Sequence, residues 1–293
     1  MVQRYNVLMT KEIVFLKLGG SLITDKDKPY TPRLDKLSEL ALEIKTVLDS
    51  TPELVLILGH GSGSFGHTAA KKYGTRDGVA PLRLPPFSPK MGGEKEGGEG
   101  NYYWKGFAEV RFHAAELTRY VMQTLLEAGV PAIPFSPSAS MVSFNRKVTS
   151  HNVLAIRKAL DVHLLPVVHG DVAFDEALGG TILSTEDVFA FLAEQFHPTR
   201  ILLAGIEAGV WQDFPARNML VKQIQLSDYE KMRAGIGGSA STDVTGGMKA
   251  KVEEMLELIK KNKGLTVQIF SAEESGHLTR ALNGENVGTL LSA

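Results

Sequence analysis

Apolar residues in this chain gather in short runs separated by segments of helical period. Residues 13–18 (IVFLKL) are almost wholly apolar and stop at Gly19 and Gly20. Leu34, Leu37, Leu40, Ala41, Ile44 and Leu48 then recur at the spacing of one helix face. The next apolar run, LVLIL at 54–58, stops at Gly59, and further runs stand at 164–168, 201–204 and 265–270. Strands buried on both faces read as continuous apolar runs, so their alternation with helices predicts an α/β fold with a largely parallel sheet. In such sheets ligands bind beyond the carboxyl ends of the strands, where the glycine clusters of this chain fall.

One stretch breaks the pattern. Residues 84–101 (LPPFSPKMGGEKEGGEGN) are rich in proline, glycine and charge, which predicts a mobile loop. A helix opening on the aromatic cluster YYW at 102–104 follows it and ends at Gly129. No internal repeat or shift of composition divides the chain, so a single unit over residues 1–293 is expected, with two lobes around one sheet.

The bulk numbers narrow the function more than the fold. The 293 residues are 43% hydrophobic, enough for a large core. Lys plus Arg number 32 against 33 Asp plus Glu, a formal net charge of -1, so no overall field gathers nucleic acid or an anionic membrane. Any phosphate recognition is therefore local. The chain has no cysteine, which removes thiolate nucleophiles and thiolate metal sites. No segment approaches 18 uninterrupted apolar residues, and the N-terminus is unlike a signal peptide, so a soluble cytoplasmic protein without membrane insertion is expected.

The chemistry concentrates in glycine turns. HGSGSFGH at 60–67 spells GxGxxG through Gly61, Gly63 and Gly66, the dinucleotide fingerprint. That fingerprint belongs to the first strand-helix turn with an acidic residue closing the next strand, whereas here it follows the second strand, and Asp77 lies in a polar stretch. A Walker loop is absent. Two further turns, KLGGS at 17–21 and DVTGGMKAK at 243–251, also follow strands or precede helices. Glycine lets backbone N–H groups approach an anion closely, and a helix starting there adds a partial positive charge. Lys17 lies within the first apolar run, and Lys249 and Lys251 open a helix, where a cation is disfavoured unless an anion binds beside it. Several phosphate cradles with lysines suit phosphoryl transfer, which is mostly alignment and charge neutralisation.

Together, KLGGS, GSGSFGH, HGDV at 169–172 and DVTGGMKAK resemble the amino acid kinase superfamily over nearly the whole chain, and GSFGH resembles its isopentenyl phosphate kinases. The resemblance implies a three-layer αβα sandwich and transfer of the ATP γ-phosphoryl group to isopentenyl phosphate. The product, isopentenyl diphosphate, serves isoprenoid synthesis on the mevalonate route, with Mg2+ accompanying ATP. It assigns residues up to about 175 to an acceptor lobe and about 176–293 to a nucleotide lobe, in a homodimer. It implies that Lys17, Gly19, Gly20, Ser21, Ser62, Gly247 and Lys251 contact ATP. Gly61, Gly66, His67 and Gly170 would hold the acceptor phosphate, and Lys26 would stabilise the transition state. No residue is implied as a metal ligand. His67 matches the family's catalytic histidine. An imidazole donating to a phosphate monoester, which carries about two negative charges near neutral pH, offsets repulsion from ATP and aligns the attacking oxygen.

Other positions keep two readings. His60 and His169 either close hydrogen bonds at strand ends or serve the site, and Asp171 either orders its loop or holds a magnesium water. Asp187 is either a first-turn carboxylate answering the helix dipole or, as in the superfamily, the aspartate that orients the active-site lysines. Tyr102, Tyr103, Trp104, Phe107 and Phe112 are either core or the pocket for the acceptor's hydrocarbon tail. The superfamily's Thr-Asp or Ser-Asp pair is replaced by Gly205 and Ile206, followed by Glu207, which puts nucleotide contacts in question. A kinase of longer prenyl phosphates or of a fosfomycin-like phosphonate, and a nucleotide-binding module without turnover, are the alternatives.

Overall fold

The computed structural model describes residues 11–79, 98–229 and 247–293. The chain opens with β1 (Ile13–Leu18), the short α1 (Gly20–Ile23) and α2 (Leu34–Ser50), then β2 (Val55–His60) and α3 (Gly63–Tyr73). The long α4 (Gly98–Glu127) leads to β3 (Ala132–Phe135), α5 (Pro137–Ser140), β4 (Met141–Phe144), β5 (Lys147–His151) and α6 (Leu154–Asp161). Next come β6 (Leu165–His169), β7 (Asp171–Asp175), β8 (Gly179–Leu183), α7 (Thr185–Phe196) and β9 (Arg200–Gly205). The last part carries β10 (Val210–Trp211), β11 (Leu220–Val221), β12 (Gln223–Gln225), α8 (Gly247–Lys261), β13 (Thr266–Ser271), α9 (His277–Leu282) and β14 (Thr289–Ser292).

An eight-stranded sheet in the order β12-β14-β13-β9-β1-β2-β6-β3 forms the middle layer. From β13 to β3 all neighbours are parallel, and β14 runs antiparallel to β13. Alternate residues of a strand face opposite layers. Ile13 and Phe15 pack with Phe189 and Leu192 of α7 and Val252 and Met255 of α8. Val14, Leu16 and Leu18 pack with Leu40 and Ile44 of α2, Leu117 and Val121 of α4, and Leu278 of α9. The three-layer αβα sandwich is thus present, with both faces of β1 buried.

The apolar runs find their strands, with ends moved by a residue or two. The run at 54–58 becomes Val55–His60 because Gly59 and His60 pair in register with Lys17 and Leu18. Two features were not anticipated. Residues 63–73 form α3 despite Gly63 and Gly66, since Phe65, Ala69 and Tyr73 line one buried face. A separate four-stranded sheet, β5-β4-β7-β8, stands beside the main one. Of the expected loop at 84–101, residues 84–97 lie outside the described residues, while 98–101 already belong to α4.

Candidate active site

In the main sheet β2 and β9 flank β1 on opposite sides, so the chain reverses its direction of travel across the sheet at β1. Such a switch point opens a crevice at the carboxyl ends of the strands. The glycine turns after β1 and β2 meet there: a Cβ on Gly20 would lie 2.3 Å from the backbone nitrogen of Gly63, and Gly63 itself has φ +48°. Only glycine permits this approach. The Ser64 N–H donates to Thr24 Oγ1 at 3.0 Å, tying the start of α3 to the end of α1. The N–H groups of Ser62 and Gly63 have no partner among the described residues.

A cavity of about 720 Å³ occupies the crevice. Lys17, Gly19, Gly20 and Ser21 line it from the first turn, and Lys26 from the segment after α1. Gly61, Ser62, Gly66 and His67 line it from β2 and α3, Gly170 from the end of β6, and Lys251 from α8. The sequence-expected residues are therefore brought together, apart from Asp187 and Gly247, which do not line it. Gly247 begins α8, and residues 243–246 of its turn lie outside the described residues.

The carboxylate beside the lysines is Glu186, and of the two readings of Asp187 the structure favours the helix-end carboxylate over the orienter of the lysines. Ser184 caps α7, and Asp187 completes a capping box: its carboxylate accepts from the Ser184 N–H at 2.7 Å, and its own N–H donates to Ser184 Oγ at 3.0 Å. Asp187 is thus committed to the helix end, and burial raises its pKa. Glu186, one residue earlier, forms an ion pair with Lys17. Burial pushes the Glu186 carboxyl up, but attraction to Lys17 and then to Lys251 outweighs it and holds the pKa below the usual value. Packing sets this match. Phe15 and Lys17 share one face of β1, Phe189 and Glu186 lie a turn apart on α7, and the two phenyl rings meet at 5.0 Å. The Ser-x-x-Asp spacing from 184 to 187 is the capping-box signal from which Asp187's role was legible.

The remaining carboxylates of the cavity are engaged as well. Asp171 accepts from the N–H groups of Ser138 and Val172 and stands 3.6 Å from Arg111. Glu207 binds Arg217 through both oxygens and accepts from Trp211 Nε1 at 3.1 Å, and its hydrogen bond to Arg217 lowers its pKa. Glu207, Trp211, Phe214 and Arg217 form one end of the cavity, beside Gly205, where an added Cβ would meet nothing within 4 Å. At the other end stand Ala70, Val110, Ala114 and Ile182, an apolar lining. None of the five aromatic residues expected for the tail lines the cavity. Tyr103 and Phe107 are packed inside with Val172, and Tyr102 and Phe112 are exposed. The face of α4 that reaches the cavity is one turn further on, at Val110 and Ala114.

This architecture, with a cationic cavity floored by paired glycine turns, defines a class of small-molecule phosphotransferase. The model of the amino acid kinase family matches residues 12–271, and the chain belongs to that family. Within it, the chain is 35% identical over 281 residues to the isopentenyl phosphate kinase of Methanocaldococcus jannaschii, covering 94% of this chain and 97% of that one. It is 31% identical to the isopentenyl phosphate kinase of Methanothermobacter thermautotrophicus, covering 94% and 97%. A crystal structure of isopentenyl phosphate kinase superposes with a TM-score of 0.75 at 28% identity, covering 95% of this chain and 99% of that one.

Proposed function

We propose that this protein transfers the γ-phosphoryl group of ATP to isopentenyl phosphate, giving isopentenyl diphosphate and ADP for isoprenoid synthesis. The observation that carries the reading is the union of Lys17, Lys26, Lys251 and His67 with two apposed glycine turns in one cavity. Similarity to the isopentenyl phosphate kinases over nearly the whole chain supports the choice of acceptor.

In this reading the lysines neutralise the phosphates of ATP and the transferring group, and Glu186 keeps Lys17 and Lys251 in place between turnovers. His67 donates to the acceptor phosphate and aligns its oxygen, while Gly61, Gly66 and Gly170 let that phosphate approach backbone N–H groups. The apolar end at Ala70, Val110, Ala114 and Ile182 suits a small branched hydrocarbon. The end at Trp211, Phe214 and Glu207 suits the nucleotide, in keeping with an acceptor lobe to about residue 175 and a nucleotide lobe beyond it, from which Ile182 of β8 reaches across to the acceptor end. Among the described residues no His, Asp and Glu side chains gather as a metal centre, and the cavity carboxylates have protein partners. In this reading magnesium arrives with ATP, on the phosphate oxygens of Mg-ATP.

The same family resemblance supports a homodimer working in the cytoplasm, which sedimentation and cell fractionation test. No helix among the described residues is long and apolar enough to cross a membrane. The enzymatic test is ADP release with isopentenyl phosphate, dimethylallyl phosphate, longer prenyl phosphates, fosfomycin and acetylglutamate. Highest turnover with isopentenyl phosphate is expected; a better acceptor among the others replaces the substrate, and ADP release with none of them points to a binding module.

A further inference from the structure

Below the acceptor side of the cavity lie two histidines with no part in the roles above. His60 and His169 end the neighbouring strands β2 and β6 and face each other in register. They are 1% and 0% exposed, and their rings stack with centroids 5.2 Å apart and an interplanar angle of 13°. Each makes the same pair of contacts. His60 Nδ1 lies 3.1 Å from the carbonyl oxygen of Gly61, and its Nε2 lies 3.1 Å from Thr118 Oγ1. His169 Nδ1 lies 3.1 Å from the carbonyl oxygen of Gly170, and its Nε2 lies 3.2 Å from Ser136 Oγ.

The donors follow from the partners. A carbonyl oxygen only accepts, so each Nδ1 carries the proton. A neutral His169 then accepts at Nε2 from the Ser136 hydroxyl, whose oxygen accepts from Arg111 at 3.3 Å. A neutral His60 accepts at Nε2 from the Thr118 hydroxyl, which divides its single proton between that nitrogen and the Ala114 carbonyl oxygen at 2.8 Å. Burial, together with the mutual effect of the two rings on His60, lowers the pKa values to about 3 for His60 and about 4 for His169. Two stacked imidazoles in a dry interior are stable only uncharged.

What these bonds do depends on peptide geometry. In a trans peptide the C=O and the following N–H point in opposite directions. Holding the Gly61 carbonyl toward a buried ring turns the Ser62 N–H the other way, and Gly61 and Ser62 both line the cavity. Holding the Gly170 carbonyl fixes the second turn in the same manner. Glycine peptides reverse easily, and a reversed one would present oxygen to an incoming phosphate.

We propose that His60 and His169 are positioning residues that lock the Gly61 and Gly170 peptides in the orientation that receives the acceptor's phosphate. They touch neither substrate; they act through the two turns. The inference rests on the reading of this cavity as a phosphoryl-transfer site.

Asparagine and glutamine separate this role from simple packing. Asparagine places an amide nitrogen near the position of Nδ1, and glutamine places one near Nε2. In His60→Asn and His169→Asn the bond to the glycine carbonyl survives; in His60→Gln and His169→Gln it is lost while a polar side chain remains. We expect the Gln variants to raise the KM for isopentenyl phosphate about tenfold, the Asn variants about threefold or less, and the KM for ATP to stay within about twofold throughout. Equal effects of Asn and Gln, or a parallel rise of both KM values, overturn the assignment. Should the wild type not phosphorylate isopentenyl phosphate, the functional reading fails instead. Crystal structures then test the lock by themselves: a Gly61–Ser62 peptide reversed in His60→Gln and retained in His60→Asn supports it, and an unchanged peptide in both overturns it.

Discussion

Lys17 of the central strand is ion-paired with Glu186 in the first turn of α7, with side chains only 13% and 7% exposed. Removing one partner of such a pair leaves a buried charge unmatched, which is costly. On the proposed function, phosphate oxygens take the place of the carboxylate at Lys17, and the pair would hold the lysine ready before ATP arrives. Glu186→Gln is expected to lower kcat about tenfold or more and to weaken the apoprotein, with added ATP restoring part of the lost thermal stability. Steady-state kinetics and thermal melts with and without Mg-ATP check this. No change in kcat would show that Glu186 is not needed to place Lys17.

Asp187 next door predicts the opposite profile. Its carboxylate serves the capping box, so Asp187→Ala should cost about 1 kcal/mol of stability and little kcat. Urea unfolding set beside kinetics decides it; a collapse of turnover with unchanged stability would return the lysine-orienting role to Asp187.

His67 lines the cavity from α3. His67→Ala should lower kcat about 10²-fold, the usual cost of one lost transition-state donor, while the affinity for ATP measured by calorimetry stays near that of the wild type. Unchanged turnover would remove His67 from the mechanism.

Two glycines at the cavity should respond oppositely to the same change. In Gly20→Ala the new methyl meets Gly63 backbone, which cannot give way, so about 1–3 kcal/mol of stability and most of the activity should be lost. In Gly205→Ala the methyl meets nothing within 4 Å, so stability and kcat should stay near wild type. Unfolding and ADP-release measurements on both variants provide the comparison.

The stacked histidines make stability depend on pH with a definite sign. Their folded pKa values, about 3 and about 4, lie below the ordinary 6.5, so between those limits the unfolded chain binds protons that the folded chain does not. Their contribution is complete above pH 6.5 and is lost as pH falls from there toward about 3. Wild-type stability should therefore decline over this window more steeply than that of a His60→Asn, His169→Asn double variant. Denaturant titrations at stepped pH measure both slopes, and parallel slopes would contradict neutral rings.

Much of the scaffold was legible along the chain. The run at 13–18 is β1 residue for residue, because a strand buried on both faces has no polar alternation to blur its ends. α3 was hidden because Gly63 and Gly66 lower local helix propensity, and packing of Phe65, Ala69 and Tyr73 overrides them. The hairpins of the four-stranded sheet were hidden because their outer residues, such as Phe144 and Phe174, are exposed and break the expected apolar pattern.

Sequence alone marked the glycine turns and lysines that the fold gathers at one cavity, since glycine turns and lysines beside apolar runs are local features. It could not determine which carboxylate answers Lys17. Asp187 and Glu186 are adjacent, and only the packing of Phe15 against Phe189, from elements far apart in the chain, turns one toward the lysine and leaves the other at the helix end. The histidine stack has the same origin. His60 and His169 look alike in sequence, each followed by glycine, but their contact exists only because β2 and β6 pair in the register that brings the two rings face to face.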